Sequence, residues 1–284
     1  MPEISVRGHE MPESPIRKLA PLAAAAKKRG TKVYHLNIGQ PDLPTPQVGL
    51  DALKQVDREI LEYSPSQGYL SYREKLVDYY AKYNINVTAD DIIITSGGSE
   101  AVLFAFLSCL NPGDEIIVPE PAYANYMAFA ISAGAKIRTI ATTIDEGFSL
   151  PKVEKFEELI NERTRAIMIC NPNNPTGKIY SRKALDAVAD VLREAEEKFG
   201  HTIYLICDEP YRELVYNDAD VPFPGDYYAD SLIAYSWSKS LSMPGDRIGY
   251  VAVPKCAEGH EELCQALIVA GRVLGGTNAP TIQE

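Results

Sequence analysis

From about residue 90 the chain alternates short apolar runs with stretches of helical period. "DIIIT" (91–95) reads as a strand and "SEAVLFAFLSCL" (99–110) as a helix. The turn "NPGD" leads into a strand, "EIIVPE". "NYMAFAISAG" then predicts a helix that ends at Gly134, a residue that tolerates the left-handed exit. "KIRTIAT" is a strand, and "PKVEKFEELI" a helix with Pro151 in its first turn. "AIMIC" (166–170), "TIYLIC" (202–207) and "SLIAYS" (231–236) are further strands. Between the first two lies the clearest helix, 181–199, where Leu185, Val188, Leu192, Ala195 and Phe199 recur at spacings of 3 and 4. Ser181 can cap its start and Gly200 can end it.

Alternation of strand and helix predicts a mostly parallel sheet of seven strands, sandwiched by helices, in an α/β fold. One strand should run the other way. Only about a dozen residues, with Pro244 and Gly245 among them, join "SLIAYS" to the run at 248–253, which leaves no room for a regular crossover helix. Strand 248–253 is therefore expected to be antiparallel. Residues 1–45 differ from the rest: rich in proline, they suggest an arm, a helix around 15–29 and an extended segment, "VYHLNIGQPDLPTP". The remainder, 46–284, is expected to be one large domain.

Composition narrows the partners. An apolar share of 45% supports a sizeable core, and a net charge of −11 argues against nucleic acid or an acidic membrane surface. No run approaches the ~18 apolar residues of a membrane span, and the N-terminus has no apolar leader segment. Five scattered cysteines without a CxxC pair suggest a reducing compartment, hence the cytoplasm, and no structural metal.

In open α/β sheets ligands bind beyond the carboxyl ends of the strands, so the residues just past each strand carry the chemistry. After "DIIIT" comes "SGGSE", containing Gly98, Ser99 and Glu100. A glycine turn opening a helix suits a phosphate, but an ordinary strand-to-helix turn also needs glycine. After "AIMIC" comes "NPNNPTG", with Asn174; this is turn chemistry, though richer than a turn requires. After "YLIC" comes Asp208 and then Tyr211. A carboxylate ending so apolar a strand needs a cation or strong donors; a helix cap is the plainer alternative. After "SLIAYS" comes Lys239, with Ser236 before it and Arg247 eight residues on. A partly desolvated lysine near other cations becomes a nucleophile toward carbonyls, and Ser236 with Arg247 can hold a dianionic phosphate.

Taken together these residues resemble the class I/II aminotransferases of pyridoxal-phosphate fold type I. Ser236-Trp237-Ser238-Lys239…Arg247, Asn174-Pro175-Thr176-Gly177, Asp208-Glu209-Pro210-Tyr211 and Gly98-Ser99-Glu100 stand in the family's order. The resemblance runs from "LNIGQPDLPTP" to about residue 280 and implies a pyridoxal 5′-phosphate enzyme that moves an amino group between an amino acid and a 2-oxo acid. It implies that Lys239 bonds the cofactor covalently and then carries the proton. Asp208 would pair with the ring nitrogen, and Tyr211 and Asn174 with the ring 3′-oxygen. Tyr123 would stack on the ring; Gly98, Ser99, Glu100, Ser236 and Arg247 would bind the phosphate. Tyr63 resembles the tyrosine that reaches the phosphate of a partner subunit, implying a homodimer, and Gly39 would line the substrate pocket beside Asn174.

The resemblance also admits a β-lyase or a cyclopropane-carboxylate synthase, and a cofactor-binding module without catalysis. Family members continue into a C-terminal domain with the arginine that grips the substrate carboxylate. The chain is expected to lack that domain.

Overall fold

The structure is a computed structural model that describes residues 3–14, 16–274 and 279–284. In chain order the helices are α1 (Val6–Glu10), α2 (Ala20–Lys28), α3 (Gln47–Lys54), α4 (Leu70–Ala81), α5 (Gly98–Cys109), α6 (Asn125–Ala133), α7 (Val153–Leu159), α8 (Arg182–Phe199) and α9 (His260–Val273). The strands are β1 (Ile92–Thr95), β2 (Glu115–Glu120), β3 (Lys136–Ala141), β4 (Thr164–Cys170), β5 (Tyr204–Asp208), β6 (Ser231–Ser236) and β7 (Gly249–Ala252).

The strands form one seven-stranded sheet in the order β1-β7-β6-β5-β4-β2-β3. Pairs β2/β3, β2/β4, β4/β5 and β5/β6 are parallel, whereas β7 is antiparallel to both β1 and β6. The short, helix-free link from β6 to β7 enforces that reversal, as the spacing predicts.

Alternation along the strands sends successive side chains to opposite faces. Ile116, Met168, Ile206 and Leu232 pack with Ala105 and Phe106 of α5, Ala130 of α6 and Leu267 of α9. Their neighbours Ile117, Ile167, Ile169 and Leu205 pack with Phe156 of α7 and Leu185, Val188 and Leu192 of α8. The same second face continues at the β1–β7–β6 end, where Ile92, Ile94, Tyr235 and Tyr250 meet Leu76 and Tyr80 of α4. With both faces covered, only the strand ends remain for polar chemistry.

Helix ends follow local rules. The Ser181 hydroxyl accepts from the Ala184 N–H, and Gly200 closes α8 in the left-handed region. Gly134 ends α6 in the same way. One expectation fails: Pro151 precedes α7 rather than opening it, because Lys152 takes the extended cap position. Over 31–46 no regular element forms, and Tyr34, Leu36 and Ile38 are exposed. Among the described residues no helix is long and apolar enough to cross a membrane.

Candidate active site

Register aligns the strand ends. Cys170 of β4 stands opposite Asp208 of β5, Asp208 opposite Ala234 of β6, and Ser236 opposite Gly249 of β7. Thr95 of β1 also pairs with Gly249. The segments after β1, β4, β5 and β6 therefore open on one edge of the sheet.

At one end of that edge lies an anion-binding arrangement. Gly97 has a φ of +103°, and a Cβ there would lie 2.7 Å from Nη2 of Arg247. A Cβ on Gly98 would stand 3.5 Å from the Ser236 hydroxyl. Glycine at 97 thus lets the N-terminus of α5 come up against Arg247, with Ser236 in ordinary contact range of Gly98 and the helix dipole pointing the same way. Gly249 permits the approach from below: a Cβ there would meet Gly97 backbone atoms at 2.7 and 2.8 Å. Ser96, Ser99, Glu100 and Arg247 line the polar side of an open hollow of about 390 Å³. Glu100 turns its carboxylate back to accept from the Ser96 N–H at 2.6 Å. Arg247 is exposed, and its Nη1 donates to the Pro244 carbonyl.

The other end holds a buried carboxylate, Asp208, and a half-buried amine, Lys239. Asp208 is 7% exposed, and burial raises its pKa to about 6; the Tyr126 hydrogen bond and the Lys239 charge pull in the opposite direction. Tyr126 donates to Oδ2 of Asp208 at 2.7 Å. Burial likewise lowers the pKa of Lys239, against the pull of Asp208. Lys239 Nζ donates to the Gly39 carbonyl at 2.5 Å and lies 5.9 Å from the Tyr211 ring centroid. The Tyr211 hydroxyl accepts from Asn174 Nδ2 at 3.1 Å. Burial, with Cys170 and Asp208 nearby, raises the Tyr211 pKa well beyond the ordinary phenol value. Tyr123 sits edge-on to Tyr126, with its hydroxyl held by Asn125.

The structure therefore brings Lys239, Asp208, Tyr211, Asn174, Tyr123 and Gly39 into one neighbourhood, and Gly98, Ser99, Glu100, Ser236 and Arg247 into an adjoining one. Tyr63 does not join them within this chain. It is 76% exposed, with the Arg272 guanidinium 5.4 Å from its ring. Tyr126 is the residue that sequence reasoning missed. Its only mark in the sequence is a place in the first turn of α6.

The sequence profile of the family "Aminotransferase class I and II" matches residues 31–279. The chain belongs to the class I and II aminotransferases. Members of this family use pyridoxal 5′-phosphate. An aspartate aminotransferase of Pyrococcus horikoshii is 36% identical over 226 residues, which cover 78% of this chain and 56% of the relative. The Thermotoga maritima aspartate aminotransferase is 32% identical over 252 residues, covering 87% and 65%. The chain thus spans less than two thirds of the length of those relatives. Among solved structures, an amino transferase from Eubacterium rectale superposes with a TM-score of 0.91 at 33% identity, over 98% of this chain and 72% of that one. The aspartate aminotransferase of Thermus thermophilus with maleate gives 0.89 at 28% identity, over 100% and 71%.

Proposed function

We propose that the protein is a pyridoxal 5′-phosphate-dependent amino-acid aminotransferase of the cytoplasm, alternating between an amino acid and a 2-oxo acid in a ping-pong cycle. The observation that carries this reading is the placement of Asp208 and Lys239 at neighbouring strand ends. Asp208 is buried at the end of β5, and Lys239 is half-buried three residues past the end of β6, the parallel neighbour, where each feels the other's charge.

The residues fit the cofactor. Asp208 is a buried carboxylate with one neutral donor and no direct ion-pair partner among the described residues, a good acceptor for a protonated ring nitrogen. The α5 N-terminus, Ser236 and Arg247 suit a phosphate dianion. When bound, the cofactor supplies a carbonyl that condenses with amines and a ring that accepts electron density.

Each residue then has a task. Lys239 Nζ, whose charged form burial disfavours, is the amine for covalent attachment; once released it takes and returns the proton at the substrate Cα. Asp208 holds the ring proton, and Tyr126 holds Asp208. Tyr211 and Asn174 form a donor pair for the ring oxygen, and Tyr123 covers a ring face. Gly39 keeps Lys239 beside the substrate space through its carbonyl. Residues 1–45 act as an arm and 46–284 as the cofactor-binding domain. Tyr63 reaches the phosphate of a second subunit in a homodimer, a role that agrees with its exposure. The names of the relatives favour aspartate as the amino donor.

The test is transfer of label. The purified protein with cofactor is mixed with an amino acid carrying isotopic nitrogen, aspartate first, and an unlabelled 2-oxo acid. Label should appear on the acceptor. Release of ammonia or of a thiol instead would favour a lyase.

A further inference from the structure

Away from the cofactor edge, three ligating side chains from two distant segments converge. Asp91 lies just before β1, and His260 and Cys264 lie one turn apart on α9. Asp91 Oδ1 is 3.0 Å from His260 Nε2. Cys264 Sγ is 3.7 Å from the same nitrogen. One donor atom from each residue falls within 4.8 Å of the others. Asp91 and Cys264 are buried, whereas the His260 side chain is 19% exposed and opens a path to solvent.

The shared nitrogen decides between explanations. A nucleophile relay needs the acid on one ring nitrogen and the thiol on the other. Here both face Nε2, so the atoms surround a point rather than form a line. A simple ion pair accounts for Asp91 and His260 but not for a thiol aimed at that nitrogen. Asp91 is also fixed in place, as the N3 residue of a capping box begun by Thr88. Its Oδ2 accepts from the Thr88 N–H at 2.6 Å and the Thr88 hydroxyl at 2.8 Å, which fixes the carboxylate and turns Oδ1 toward the histidine.

We propose that Asp91, His260 and Cys264 bind a Zn²⁺ ion, with water in the fourth position. Tetrahedral ligands about 2.0–2.3 Å from zinc stand roughly 3.3–3.8 Å apart, close to the 3.0 and 3.7 Å separations, and the third pair, within 4.8 Å, has to close by about 1 Å at most. The mixed oxygen, nitrogen and sulfur set suits zinc, and the thiolate disfavours magnesium and calcium. On binding, Nε2 of His260 gives up the proton it donates to Asp91, the neutral ring carries its proton on Nδ1 and offers Nε2 to the metal, and the Cys264 thiol releases its proton to solvent. Burial and the nearby Asp91 hold that thiol at a pKa of about 12, so the ion itself drives the deprotonation. The ion would pin α9 to the first strand of the sheet. No cysteine-pair motif announces this site, because its ligands are separated along the chain.

The purified protein with cofactor, stripped by chelator, is titrated with zinc sulfate by calorimetry. One ion per chain is expected, with Cys264→Ser and His260→Gln each weakening binding by about 100-fold or more. Thr88→Val, which keeps all three ligands, should weaken it roughly tenfold. No binding to the wild type, or equal affinity in Cys264→Ser, overturns the proposal. Zinc absorption spectroscopy on the wild type alone decides the matter if a variant fails to fold. One sulfur at about 2.3 Å supports the site, and a sphere of nitrogen and oxygen only refutes it.

Discussion

Tyr126 donates its phenolic hydrogen to Oδ2 of Asp208 at 2.7 Å, joining the helix after β2 to the end of β5. It is the one side-chain hydrogen bond described for a carboxylate whose pKa burial has pushed up to about 6. Removing it with Tyr126→Phe should raise that pKa further, because the bond favours the charged form. A hydrogen bond to a charged group contributes about 1.5–3 kcal/mol, or roughly 1–2 pH units. Cofactor affinity should decline on acidification as Asp208 protonates, and in Tyr126→Phe the decline should begin about one unit higher. Fluorescence titration of the cofactor between about pH 5 and 8 measures the displacement.

Asp208 also shapes stability without cofactor. Its native pKa, about 6, lies above its usual 3.8, so the native state holds the proton more tightly than the unfolded chain does. Its contribution is therefore fully favourable below pH 3.8 and is lost as pH rises through 6. Asp208→Asn keeps an acceptor for Tyr126 but carries no charge. The cofactor-free variant should be more stable than wild type at pH 8 by about 3 kcal/mol, and equally stable near pH 4. Urea unfolding at the two pH values checks this. Cofactor binding should change in the opposite sense, weakening in the variant.

Next to Asp208, Glu209 and Arg212 form a buried ion pair at 2.5 Å. Arg212 also donates to the Val221 and Pro222 carbonyls and stacks on Phe223. These contacts fix the loop that carries Tyr211. Arg212→Met should cost about 3–5 kcal/mol, because Glu209 would remain buried without a cation. The denaturation midpoint reports the loss; a change below about 1 kcal/mol would show that the pair is not what holds the loop.

Gly249→Ala tests the close approach beneath the anion-binding turn. The new methyl would lie 2.5 Å from the Tyr235 carbonyl and against the Gly97 backbone, and neither can yield as a side chain would. A destabilisation of about 2–3 kcal/mol is expected, with weaker phosphate binding as Gly97 is displaced. Inorganic phosphate competition against the cofactor separates the binding effect from the stability effect.

Most of the sheet was legible because its strands are buried on both faces and read as unbroken apolar runs. The reversal of β7 followed from a link too short for a helix. The polar segments at the strand ends were legible for the same reason, since chemistry stands out where an apolar run stops. α4 was harder. Its buried positions are Arg73, Leu76 and Tyr80, and an arginine in the core breaks the apolar spacing. That arginine is satisfied by the Gly68 and Ala89 carbonyls, contacts the sequence does not announce. On α9, Leu263, Cys264 and Leu267 do carry a helical spacing, but no capping side chain marks its start, where Gly259 takes the left-handed conformation. Tyr126 hid as one more core aromatic, since only the folded chain places it against a carboxylate 82 residues away. The role proposed for Tyr63 came from the sequence resemblance alone, and a single subunit does not test it.

The proposed catalysis depends on one amine, just past the end of β6, holding the cofactor. Borohydride reduction of the purified protein with pyridoxal 5′-phosphate, followed by digestion and mass mapping, tests this most directly. A stable adduct on Lys239, absent from Lys239→Ala, is the predicted result. A label on another lysine, or one of equal yield in Lys239→Ala, would contradict it.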